Sequence, residues 1–103
     1  MSKRKISVTA QNPFELAQVL GLSKADAIAM DFRARLNKKI IDLVRTKGLT
    51  HDEVAKSAKA SRTRVTAILN GQTLGVSTDF LLRLLYALGC KTTPVFRLLK
   101  KAA

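Results

Sequence analysis

The chain has 103 residues, 47% of them hydrophobic, which is material for one small core and not for two. Nineteen Lys and Arg stand against seven Asp and Glu, and a formal charge of +12 points toward a polyanionic partner, nucleic acid before an anionic membrane surface. No apolar run nears the roughly 20 residues that a bilayer span needs, which excludes a membrane-spanning helix.

In chain order, residues 1–11 lack a packing pattern and read as a basic arm, extended at "ISVTA". No apolar signal core follows the basic start, so export is not expected. Residues 12–103 read as a single domain. "NPFELAQVLG" predicts a short helix: Asn12 can cap it, Pro13 suits the first helical position, and Gly21 stops it. The next helix opens at "SKAD", where Ser23 caps and Asp26 can reach back. Ile28, Phe32, Leu36, Ile40 and Leu43 recur at three and four residues and carry that helix unbroken to Lys47, with Gly48 ending it.

Thr50 and Glu53 form a capping box at the head of "LTHDEVAKSA", and Leu49, Val54, Ala55 and Ala58 fit a helix of about two turns. After a turn at Ala58 to Ala60, Ser61 caps "RTRVTAILN" and Gly71 closes it. Ser77 or Thr78 caps "DFLLRLLYALG", which Gly89 ends. Leu81, Leu84, Leu85 and Leu88 form one face of that helix, Leu82 and Tyr86 another. A helix apolar on two sides is normally covered by two neighbours, here the N-terminal segment or a second copy of the chain. The tail "TTPVFRLLKKAA" suits either a strand or a short helix, and Pro94 would keep a strand at an edge or at its first residues. Cys90 has no internal partner, which fits a reducing cytoplasm and a structural thiol. The expected fold is all-α, a compact bundle of about five helices that leaves room for a short terminal strand.

Residues 33–71 carry ten Lys and Arg against three Asp and Glu, so the basic excess is centred on the pair of short helices. Their length and the turn between them have the spacing of a helix-turn-helix. If Val65, Ile68 and Leu69 of the second helix face the core, then Arg62, Thr63, Thr66, Ala67 and Asn70 face outward and can enter a major groove. Arg62 suits guanine O6 and N7, while Thr63 and Thr66 can donate, accept or touch a thymine methyl. Ala67 keeps the helix close to the bases by being small. Arg64, nearer the rim, is placed for a phosphate.

The stretch "LTHDEVAKSAKASRTRVTAILNG" resembles the Xre/Cro family of helix-turn-helix regulators, lambda-repressor-like in fold. The resemblance covers residues 33–89, with residues 61–70 as recognition helix. It extends more weakly to "NPFELAQVLGLSKADA", which looks like the lead-in of HigA-type antitoxins. The resemblance implies a repressor that binds an operator in double-stranded DNA as a homodimer, and an antitoxin that autoregulates its operon and neutralises a RelE-type toxin. It also implies base reading by Arg62, Thr63, Thr66 and Ala67, a phosphate contact at His51, and backbone contacts from Asn70, Gln72 and Thr73. Lys47, just ahead of the first helix, is a further candidate phosphate contact. Two positions depart from the family pattern: His51 stands where glutamine is usual, and Lys59 where the turn usually has glycine. A left-handed Lys59 costs about 1–2 kcal/mol relative to glycine, which a phosphate contact by its ammonium can offset.

Other classes have less to stand on. The chain has no Gly-rich phosphate loop, no metal-ligand cluster and one histidine without a nucleophile or carboxylate partner, so neither an enzyme, a cofactor nor a small-molecule ligand is expected. A stand-alone or phage-type repressor without a toxin is the nearest alternative. A nucleic-acid-binding structural protein without sequence preference is the alternative of another class.

Overall fold

The computed structural model describes residues 13–99, which form five helices. The basic arm at 1–11, the Asn12 cap and the last four residues lie outside the described residues. The helices are α1 (Pro13–Val19), α2 (Lys24–Lys47), α3 (His51–Ala58), α4 (Arg62–Leu69) and α5 (Thr78–Ala87). The all-α expectation holds. Among the described residues no strand occurs, and residues 90–99 run on past α5 as neither strand nor helix.

Side chains close the helix starts as their residue types require. Ser23 Oγ accepts from the Asp26 backbone N–H and donates to the Asp26 carboxylate at 2.9 Å. Thr50 and Glu53 make a complete capping box, the Thr50 hydroxyl accepting from the Glu53 N–H and the Glu53 carboxylate accepting from the Thr50 N–H at 2.8 Å. Ser61 caps α4 and Ser77, rather than Thr78, caps α5. Each such cap contributes about 1 kcal/mol, which matters for helices of only eight residues that could not persist alone.

The core is built where α2, α3, α4 and α5 meet. Leu36, Ile40 and Val44 from α2 pack with Val54, Ala55 and Ala58 from α3, Val65 and Ile68 from α4, and Phe80, Leu81, Leu84, Leu85 and Leu88 around α5. Five of these positions supply a fully buried Ile or Leu, each stabilising the fold by about 1.5–3 kcal/mol over an exposed one. Among the described residues, Asn37 Oδ1 on α2 is a side-chain oxygen buried without a hydrogen-bond partner.

The front half of α2 departs from the expected stripe. Leu36 and Ile40 are buried and Leu43 is partly so, but Ile28 and Phe32 are 56% and 41% exposed. The reason is length. A helix of 24 residues is about 36 Å long, and its first turns stand outside the core cluster: Lys24, Ala27 and Ile28 line a separate hollow with Gln18, Leu22 and the tail residue Leu99. The second face of α5 is likewise open: Leu82 is partly buried, while Tyr86 is 77% exposed.

Candidate nucleic-acid interface

The helix-turn-helix is made by α3, the turn at Lys59 to Ser61, and α4. The turn begins one residue later than the sequence suggests, because Ala58 still belongs to α3. It reverses through Lys59, which holds φ 54 and ψ 50, the left-handed conformation that glycine would take without cost. Two backbone bonds fasten it, from the Lys59 N–H to the Lys56 carbonyl and from the Ala60 N–H to the Ala55 carbonyl at 2.9 Å. These satisfy the last carbonyls of α3 and aim the chain into α4.

Val65 and Ile68 are buried, which fixes the rotation of α4 and decides what its other side presents. Arg62, Thr63 and Arg64 are exposed, and Thr66 and Ala67 are partly buried beside them. Arg62, Thr63, Thr66 and Ala67 therefore lie together on the outer side of the helix. Asn70 ends the helix, and Gly71 and Gln72 fold back with their N–H groups on the carbonyls of Ile68 and Ala67. Asn70 and Gln72 are exposed and Thr73 is partly buried, so the three candidate backbone contacts follow the C-terminal end of α4.

The remaining candidates come from neighbouring elements. His51 opens α3 and crosses to α4, its Nδ1 lying 2.8 Å from the Thr66 hydroxyl oxygen. Lys59 stands exposed in the turn. Arg64 lays its guanidinium 3.8 Å from the centroid of the Phe80 ring, a cation–π stack that ties α4 to the first turn of α5. Lys47 ends α2 and turns toward the end of α5, its Nζ 3.7 Å from where a Cβ on Gly89 would stand. That end of α5 carries the negative pole of the helix, so an ammonium there is stabilised before any phosphate arrives.

Two participants were not expected from the sequence. Asp52 reaches Arg62, Oδ1 to Nε at 3.6 Å, and Phe80 supplies the surface under Arg64. Neither pair has a helical spacing, since each joins different helices, and no periodicity in the sequence signals it. Among the described residues, no group of three or more His, Cys, Asp or Glu is placed to hold a metal ion. No helix there is long and apolar enough to cross a membrane.

The arrangement is a basic, exposed helix end held out by a rigid core, with hydrogen-bonding groups of both kinds on its outer side. Neither a curated protein nor a solved structure matches the chain. A family model described as a helix-turn-helix domain matches residues 18–93, most of the chain and all of α2 to α5. The chain belongs to the helix-turn-helix domain family and is a sequence-specific DNA-binding regulator.

Proposed function

We propose that the protein is a repressor that lays α4 in the major groove of an operator, with Arg62, Thr63, Thr66 and Ala67 reading bases. Lys47, His51, Lys59, Arg64, Asn70, Gln72 and Thr73 grip the backbone on either side. The observation that carries this reading is the rotation of α4: burial of Val65 and Ile68 turns the four proposed reading residues outward together. A single recognition helix covers too few base pairs to be selective, so two copies act on half-sites about one helical turn apart. Tyr86 and the tail residues Val95, Phe96, Leu98 and Leu99 are 72–97% exposed and are the apolar surface we assign to the second copy.

The finer reading is an antitoxin that represses its own operon. Its support lies at the other end of the molecule. Residues 13–32 hold three acids and one lysine in a chain of +12, so this segment is the acidic part of a basic protein. It also exposes Val19, Leu20, Leu22, Ile28 and Phe32. An apolar surface with acidic borders suits a basic protein partner, such as a RelE-type ribonuclease, and leaves the basic helix-turn-helix for DNA.

The test is competition. Sites selected by the protein from a random duplex library are measured against scrambled duplex over a salt series. A dimer contacting several phosphates per half loses orders of magnitude in affinity from low to moderate salt, while selected sites stay preferred. Equal affinity for selected and scrambled DNA would instead mark a structural nucleic-acid-binding protein. The antitoxin reading expects a small basic RelE-like protein encoded beside this one, and deleting residues 6–32 should abolish its neutralisation or the dimer while sparing weak DNA binding; a deletion that still neutralises rejects it.

A further inference from the structure

We propose that His51 is a specificity-determining residue acting through Thr66: it fixes the direction of the Thr66 hydrogen bond and so the kind of base edge Thr66 accepts. The proposal rests on the DNA-reading role of α4 given above. It starts from the 2.8 Å contact between His51 Nδ1 and Thr66 Oγ1, which is partly buried and joins the first residue of α3 to the middle of α4.

A threonine hydroxyl has one proton and two lone pairs, and a neutral imidazole has one N–H and one bare nitrogen. Only two pairings satisfy the contact. Either Thr66 donates to a bare Nδ1, or an Nδ1–H donates to Thr66. With Nδ1 occupied by Thr66, Nε2 is the ring atom left for the DNA backbone. Phosphate oxygens only accept, so a neutral ring that grips a phosphate carries its proton on Nε2. Nδ1 is then bare, and the single proton of Thr66 is committed to it.

Toward the groove, Thr66 then offers lone pairs and no proton. In the major groove the donors are the amino groups, adenine N6 and cytosine N4; guanine O6 and N7 and thymine O4 are acceptors. Thr66 therefore favours a base with an amino group at its position and disfavours one with a keto oxygen, where two acceptors would face each other. The phosphate contact and the base preference are coupled through one ring. His51 is thus a positioning residue: it need touch no base to alter which base is read.

The experiment uses the full chain and the sites it selects from a random duplex library, at about pH 8. Each position of the half-site is varied through all four base pairs for wild type, Thr66→Val, His51→Leu and His51→Gln. One position should lose its preference in Thr66→Val. There wild type should favour the amino base by about fivefold, the worth of one hydrogen bond. His51→Leu should reduce that preference below about twofold, because the freed hydroxyl can donate as well as accept. Positions read by Arg62 should be unchanged. His51→Gln should keep the preference, its amide N–H₂ taking the phosphate and its oxygen taking the Thr66 proton. Uniform loss across all base pairs in His51→Leu would show a phosphate contact only and overturn the coupling. So would a keto base at the Thr66 position, or no position sensitive to Thr66→Val. These outcomes stand apart from failure of the underlying reading, in which Arg62→Ala also leaves every base preference intact.

Discussion

Asp52, on the first turn of α3, places Oδ1 3.6 Å from Nε of Arg62, so an acid faces the arginine proposed to read bases. Both side chains are about two-thirds exposed, and such a pair contributes little to stability, on the order of 0–1 kcal/mol. Its effect is geometric. With the carboxylate on the Nε side, at ion-pair rather than hydrogen-bond distance, the two terminal nitrogens remain available as the fork that matches guanine O6 and N7.

Asp52→Asn separates these roles because its two effects have opposite signs. Removing a negative charge from the DNA-facing side should tighten scrambled duplex by a few-fold. Releasing Arg62 should weaken discrimination at its base pair. Binding isotherms on selected and scrambled duplex at one salt concentration read both, and equal tightening on both DNAs would show that Asp52 does not orient Arg62.

Arg64 gives a second separable pair. Its guanidinium stacks on Phe80, which is only 4% exposed, and such stacks contribute about 0.5–2 kcal/mol. Arg64→Lys keeps the charge and loses the planar stack, so thermal stability should fall by up to this amount while the salt dependence of DNA binding stays put. Arg64→Ala should lower stability similarly and also reduce the salt slope by about one phosphate contact. A lysine variant with unchanged melting temperature would deny the stack an energetic role.

Lys59 is the only non-glycine residue with positive φ among those described. Lys59→Gly should stabilise the domain by about 1 kcal/mol, because glycine takes the left-handed conformation without a Cβ clash. The same change removes a cation from the turn, so operator and scrambled duplex should both bind a few-fold more weakly. Calorimetry and a salt titration together check the exchange. Higher stability with unchanged DNA affinity would mean the lysine is there for neither grip nor fold.

The local features were legible in the sequence because they are set by nearest neighbours. Ser23, Thr50, Ser61 and Ser77 cap the helices that follow them, and their spacing to the next apolar run is visible in one dimension. The helix-turn-helix was legible for the same reason, with Val65 and Ile68 fixing which side of α4 is inside. What periodicity could not tell is whether an apolar stripe has anything to pack against. Ile28 and Phe32 fit the α2 stripe as well as Leu36 and Ile40 do, but they are exposed and stand outside the core cluster that α2 shares with α3 to α5. Contacts between helices were also hidden: Asp52 with Arg62, Phe80 with Arg64 and His51 with Thr66 each depend on how two helices cross. Asn37 shows the converse, a polar residue whose burial no local pattern announced.

The last expectation distinguishes reading, gripping and holding with one substitution each. Arg62 stands first after the Ser61 cap, at the end of α4 proposed to enter the groove, and Arg62→Ala should cost about 1–3 kcal/mol on the selected site and relax preference at one base pair per half-site. Scrambled duplex should lose only the general attraction of one charge. Lys47 is proposed to contact the backbone, so Lys47→Ala should weaken both duplexes by similar factors. It should also cost a few tenths of a kcal/mol in stability, because the ammonium beside Gly89 sits at the carboxyl end of α5. Val65 is 1% exposed and makes no outward contact, so Val65→Ala should lower stability by about 1–3 kcal/mol through lost packing before any base preference changes. The three variants are measured on selected and scrambled duplex at one salt concentration, with melting temperatures alongside. Should Arg62→Ala lower both affinities equally while Lys47→Ala shifts base preference, the groove is entered by a different face from the one that the burial of Val65 and Ile68 turns outward.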